Sequence, residues 1–256
     1  MSDAYRVLAY WGPRLETPAD LAPHMLRMLE GLAQIDPLLS GWQWFGGKKL
    51  VPERELDLTT AEKLLEFGLE RDKVTKKPLL SLGYYFSLHT RWRQPSELQL
   101  QGKLGIGVPG FAYDNDVSLA TSYLKPPDEA LLKYRIFKPA LILLATLWRA
   151  NWACAYPVAL SDLLPSDKER RTCSLFGGWI TYLSAAWAAK ITPPKSAIVE
   201  RAPDGGLLMI ATEETFRVDN PRHVAVAREI DAALAPLNAL PWPPNDSADG
   251  RAVADR

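Results

Sequence analysis

Cysteine is nearly absent: the 256 residues hold two, Cys154 and Cys173, too few for a disulfide scaffold and suited to packing as small apolar side chains. Histidine is almost as scarce. His24, His89 and His223 are scattered, and neither C-x-x-C nor H-E-x-x-H occurs, so no metal-ligand set is expected. An excess of one charge is missing too, since 30 Lys+Arg balance 30 Asp+Glu. That removes the electrostatic footprint of a general nucleic-acid binder. The most apolar stretch, 140–148, lies between Lys138 and Arg149 and falls far short of the ~20 residues a membrane helix needs. The opening Met-Ser-Asp-Ala-Tyr-Arg has no apolar run of a secretory signal, so the expected compartment is the cytoplasm.

What remains is globular in composition, 47% hydrophobic and 23% charged, with nine tryptophans as its one excess. Residues 5–11 alternate, Tyr5, Val7, Ala9 and Trp11 against Arg6, Leu8 and Tyr10, which predicts a strand. Gly12-Pro13 breaks it, and Thr17 before Pro18 supplies an N-cap hydroxyl and a first-turn proline for a helix burying Leu21, Met25, Met28, Leu29 and Leu32. Asp36-Pro37 ends that helix, and residues 42–47 read as the next strand and its turn. Residues 48–57 read as a connection. Thr59 and Thr60 predict a capped surface helix with Leu64, Leu65, Phe67 and Leu69 on its apolar side.

Strands are predicted at 84–92, 98–106 and 118–124, joined by turns into an antiparallel meander. Residues 136–151 predict a buried helix, with Lys133, Arg135, Lys138 and Arg149 as a local positive bias. Further strands are expected at 152–160 and 176–183, with a charged loop at 162–172. Asp204-Gly205-Gly206 predicts a hairpin between 197–201 and 207–212. Asn220-Pro221 opens a last helix, with His223 on its polar side and Val224, Ala227, Ile230 and Leu234 inward. His24 is likewise placed on a polar helix face. From residue 241 the chain reads as a disordered tail. The fold expected is one α+β domain over 1–240, mainly an antiparallel sheet with helices packed against it.

Motifs for chemistry are weak. The glycine rhythm at 102–110 precedes no helix, so it reads as a hairpin loop rather than a phosphate cradle. Asp114-Asn-Asp116 begins like a calcium loop, but the twelfth position is Lys125 where a bidentate glutamate is required. Arg91-Trp92-Arg93 reads as a solvated strand end. Residues 200–219 carry five acids, Glu200, Asp204, Glu213, Glu214 and Asp219, against Arg201 and Arg217, which is either a solvated face or a surface for a basic partner. Trp42 and Trp44 share one strand face, either buried or projecting as an aromatic anchor.

Four stretches together resemble the immunity protein 52 family: Ala9-Tyr-Trp-Gly-Pro-Arg-Leu-Glu16, Leu32-Ala-Gln-Ile-Asp-Pro37 before Trp42, Gly178-Trp-Ile-Thr-Tyr-Leu183, and Phe216 followed by residues 219–228. The resemblance covers about residues 5–237 and departs near Trp152, where Ala-Cys-Ala-Tyr-Pro157 stands in place of an Asp-Pro pair. It implies a bacterial antitoxin, encoded beside a polymorphic toxin that it binds and neutralises. In that family the toxin is usually a restriction-endonuclease-fold nuclease, often delivered by type VI secretion. The expectation is thus a non-enzymatic protein without cofactor or metal, whose partner is a cognate toxin and not a nucleic acid or a membrane. Candidate contact residues are Trp42, Trp44, Asp114, Asp116, Glu213 and Glu214. A small hydrolase using His89 or His223 beside a carboxylate is the alternative from another class, and a nucleic-acid-binding module the third.

Overall fold

Residues 5–11 do form a strand, β1 (Tyr5–Trp11), and it lies near the middle of a sheet. The computed structural model describes residues 4–46, 49–91, 93–108, 115–123, 126–164 and 175–238. Among these the sheet has ten strands, adding β2 (Gln43–Gly46), β3 (Lys49–Pro52), β4 (Leu82–Thr90), β5 (Leu98–Ile106), β6 (Asn115–Thr121), β7 (Trp152–Pro157), β8 (Ile180–Leu183), β9 (Ile198–Arg201) and β10 (Leu207–Ile210). Their order is β3-β2-β4-β5-β6-β1-β7-β8-β10-β9, and every pairing is antiparallel. The α+β class expected from the sequence is the class observed.

Helix α1 (Pro18–Ile35) begins at Thr17, whose hydroxyl accepts from the Asp20 backbone while the Asp20 carboxylate accepts from the Thr17 backbone at 2.9 Å. This reciprocal capping box satisfies donors that the first turn leaves orphaned. Its buried side is the predicted one. Helix α2 (Leu58–Phe67) is capped by Asp57, which accepts from Thr60 N at 2.7 Å, not by the threonines, because Asp57 precedes the helix with an extended backbone while Thr59 and Thr60 already lie inside its first turn. Helix α3 (Tyr134–Leu147) crosses β1 and β7 and packs on α1. It stops four residues earlier than predicted because Arg149 turns to φ +49 and Ala150 N bonds Ala145 O. Short α4 (Ala185–Ala188) was not predicted, whereas α5 (Pro221–Ala233) opens on Asn220 as expected and is followed by α6 (Ala235–Asn238).

All three long N-terminal helices lie on one side of the sheet. Trp11, pointing to that side from β1, stacks on Trp148 at the end of α3, ring centroids 5.3 Å apart and 11° from parallel. Trp148 in turn donates its indole N–H to Met28 Sδ of α1. Trp179 docks beside Tyr5 and Phe137 and donates its own N–H to Thr212 O. Seven tryptophans rank among the most deeply buried side chains, which accounts for the compositional excess. The core is aromatic at the strand–helix contact.

The structure corrects several sequence expectations. Residues 48–57 are not a plain connection, because 49–52 form β3 by pairing antiparallel with β2. The strand predicted at 118–124 begins at Asn115, whose buried side chain bonds Ile106 N and O and Gly12 O. The glycines at 102 and 105 belong to β5 rather than to a loop; a Cβ at Gly102 would fall 2.1 Å from Asp116 O, so the close strand approach needs glycine. The strand predicted at 176–183 is regular only from Ile180, since Gly177 is held against the α5 backbone and donates to the Asp231 carboxylate at 3.1 Å. Likewise the strand at 152–160 ends at Pro157 and becomes a 3-10 turn. The 200s hairpin is as predicted, with Gly205 at φ +86. Most of the charged loop at 162–172, Trp92, Cys173, Asp114 and the predicted tail lie outside the described residues.

Candidate partner-binding surface

With α1, α2 and α3 on one side, strand alternation sends every second residue of β4, β5, β6, β1 and β7 to the other. The pairing register lines these residues up in three rows. One runs His89–Gln99–Ala120–Arg6–Tyr156, the next Ser87–Gln101–Ser118–Leu8–Cys154, and the third Tyr85–Lys103–Asp116–Tyr10–Trp152. At the β7 end, Phe176 packs edge-on against Trp152 and Tyr156, and this part is covered. Toward β4 and β5 the face is open: Tyr85 is 45% exposed, Lys103 is exposed, and Gln99, Gln101, Ser87 and His89 are half-buried. Tyr85 Oη donates to Gln101 Oε1 at 3.2 Å and Gln99 Nε2 donates to the same oxygen at 2.8 Å, so the amides are held in one orientation.

Between the open and covered parts lies a charged step. Asp116 is half-buried, and burial pushes its carboxyl up to about 7, with Lys103 and Arg6 opposing. Arg6 lies over the Tyr123 ring at 5.7 Å, and its Nε is buried without a hydrogen-bond partner. Ser118, 3% exposed and in the middle row, also has an unpartnered hydroxyl. Unmet polar atoms inside a folded protein are costly and few. Two occur within one small region of this face.

The sequence-predicted contact residues fare unevenly. Trp42 is 0% and Trp44 2% exposed, and Trp42 donates its indole N–H to Leu39 O, so the projecting-anchor reading is corrected: both rings face the helix layer and are spent in the core. Asp114 falls outside the described residues. Asp116 sits on the open sheet face, whereas Glu213 acts electrostatically on Tyr134 of α3 on the helix side. The structure does not bring them together. Glu213 and Glu214 are both exposed, but the acidic stretch around them is partly neutralised from within. Lys138 neutralises Glu200 at 2.6 Å and Tyr182 donates to Asp204 at 2.6 Å, whereas Arg217 of the stretch is itself drawn to Glu129 outside it, also at 2.6 Å. The positive bias around α3 is spent in the same way, Arg135 pairing with Asp36 at 3.3 Å. Arg91, predicted as a solvated strand end, donates to the Leu38 and Ser96 carbonyls.

Both histidines named for hydrolysis do lie near carboxylates. His89 Nδ1 is 3.4 Å from Glu97 and its Nε2 3.2 Å from Ser87 Oγ, a serine–histidine–carboxylate sequence. The catalytic version of that sequence also needs donors aimed at a developing oxyanion. Here Ser87 is in the middle of β4, flanked by ladder partners, and burial lowers the His89 pKa. His223 is not solvated as predicted but 6% exposed: its Nδ1 accepts the Arg217 backbone N–H at 3.1 Å, which fixes it as a structural cap beside Glu214. Cys154 is fully buried, and burial raises its thiol pKa. Among the described residues no cluster of three or more His, Cys, Asp or Glu is placed to hold a metal ion, and no helix is long and apolar enough to cross a membrane.

Comparison with known proteins decides the family. A model of the family described as Immunity protein 52 matches residues 3–240. The chain belongs to the immunity protein 52 family. A solved structure described as Pseudomonas aeruginosa T6SS protein PA0821 shares the fold, with TM-score 0.53 at 11% identity over 90% of this chain and 74% of that one. A search of curated proteins finds no match. The family stretches seen in the sequence are structural in this immunity protein: Trp11 and Trp179 are core, and Gly178 is needed because a Cβ there would lie 2.4 Å from Cys154 Sγ. The polar sheet face carries no motif. Its alternating residues were visible in 84–92 and 98–106, but only the register aligns them across strands.

Proposed function

We propose that this immunity protein neutralises a cognate toxin by stoichiometric protein–protein contact, without turnover of a substrate, and that 1–240 acts as one binding domain. The family match over residues 3–240 carries the reading. The position of Ser87 and His89 within β4, paired directly to Gln101 and Gln99 of β5, is in keeping with it. The toxin is read as a nuclease, and the protein as working in the cytoplasm of the cell it protects. The test is co-expression of the toxin encoded by the neighbouring reading frame with graded amounts of this protein. Rescue of growth should require at least equimolar immunity protein. Full rescue at a small fraction of the toxin's concentration would mean catalysis, and a neighbouring product without toxicity would remove the immunity reading.

The partial neutralisation of residues 200–219 bears on how such inhibition works. A mimic of nucleic-acid phosphates needs an uncompensated negative surface, and here Glu200 is already paired with Lys138. Binding away from the toxin's nucleic-acid cleft is the mechanism in keeping with that pairing.

A further inference from the structure

We propose that the open part of the sheet face, formed by β4 and β5, is the surface on which the toxin docks, through a protein surface that presents carboxylates. The inference rests on the stoichiometric-binding reading above and deepens it by naming the face and the chemistry of its partner.

Two independent observations meet on this face. Its exposed part is built from a tyrosine, two amides held by one shared hydrogen-bond acceptor, and a lysine: Tyr85, Gln99, Gln101 and Lys103. Rigid aromatic side chains with fixed polar neighbours give contact area at small entropic cost, the composition that binding surfaces favour. The charge is also one-sided. Lys103 and Arg6 are cationic, while the face's own acid, Asp116, is held near half-protonation at neutral pH. Such a face attracts carboxylates. It repels the basic surface that a nuclease turns toward its nucleic acid, which agrees with docking outside the cleft.

The test measures binding by calorimetry, using the purified toxin domain encoded beside this gene. The parent is compared with Tyr85→Ala, Lys103→Gln, Lys103→Glu and, as a control on the helix side, the double variant Glu213→Lys/Glu214→Lys. The substituted residues are solvent-exposed, so melting temperatures should stay at the parent value. Tyr85→Ala and Lys103→Glu should each weaken binding about thirtyfold or more, as residues at the centre of an interface do. Lys103→Gln should fall between Lys103→Glu and the parent, as attraction to a carboxylate requires. A parent that binds tightly while Tyr85→Ala and Lys103→Glu stay within about threefold of it, inside the range of peripheral contacts, overturns the face and leaves stoichiometric binding standing. A parent that does not bind overturns the stoichiometric reading itself. Acetylation of Lys103, read by mass spectrometry on the unsubstituted protein, gives the same decision without a variant: protection by the toxin supports the face, and equal labelling in the free and mixed samples counts against it.

Discussion

Lys103 stands directly opposite Asp116 in the β5–β6 ladder, and yet the Asp116 carboxyl titrates near 7. An opposed cation normally pulls an aspartate below its usual value. Burial beside Tyr10 and Arg6 at the inner end of the open face outweighs it. The carboxyl therefore changes charge near neutral pH, next to the surface assigned to the partner.

This gives a pH dependence of stability with a definite sign. Because the folded-state pKa lies above the unfolded value near 3.9, the folded protein binds the extra proton, and the stabilisation is complete only below the unfolded value. It is lost as pH rises through about 7. Asp116→Asn, which keeps the shape and has no charge to bury, should raise stability at pH 8 by roughly 1 to 2 kcal/mol once part-exposure is allowed for. The gain should vanish by about pH 4, near the unfolded pKa. Thermal melts of both proteins across this range check it, and a constant offset at every pH would assign the effect to packing.

The tryptophans supply a second prediction. Trp11 is 1% exposed and stacked on Trp148, so Trp11→Ala removes both burial and a ring–ring contact. The expected loss is about 3 to 5 kcal/mol, read from urea unfolding. Trp42 and Trp44, for the same reason of depth, should be shielded from iodide quenching in the free protein. Ready quenching of either would restore it as a surface anchor.

How far the sequence discloses this fold depends on what each element leans on. Where a local signal and burial agree, as in residues 98–106 or the Thr17 and Asn220 caps, the predicted element and the observed one coincide. Where tertiary contact decides, they part. Gly177 ends up beside α5 and not in a strand, and Lys49–Pro52 joins the sheet because β2 is there to pair with it. The candidate surface was the least legible feature. Tyr85, Lys103 and Asp116 are separated by up to 31 positions in the chain, and nothing local says that the β4–β5 and β5–β6 registers place them in one row. The predicted anchors Trp42 and Trp44 went the other way, since strand parity gives a shared face without saying that the rest of the fold buries it.

A third prediction separates binding from catalysis at the serine–histidine–carboxylate sequence. Ser87 and His89 are half-buried on β4 and bonded to each other, so Ser87→Ala and His89→Gln should fold. Both should protect cells against the toxin at the same immunity-to-toxin ratio as the parent, within the few-fold change that a peripheral interface residue produces. Complete loss of protection by Ser87→Ala, in a variant that still binds the toxin, would make the hydrolase reading the better one.

The last prediction concerns salt and the acidic stretch. If Glu213 and Glu214 plugged a basic cleft, affinity would rest on several exposed opposite charges and would fall steeply as the screening length shortens from about 10 Å at 0.1 M salt to about 3 Å at 1 M. The structure gives that plug few free charges. Glu200 is held by Lys138, and Glu214 lies 3.7 Å from His223. Contact through Tyr85, Gln99, Gln101 and Lys103 involves one exposed cation among neutral groups, so its salt dependence should be shallow. Reversing Glu213 and Glu214 to lysine should then change the toxin's dissociation constant by less than about fivefold, as rim charges do. Measured at low and high salt, a loss of several kcal/mol on reversal together with a steep slope in the parent would move the contact to the acidic side. It would also imply that the toxin's nucleic-acid cleft itself is what the protein fills.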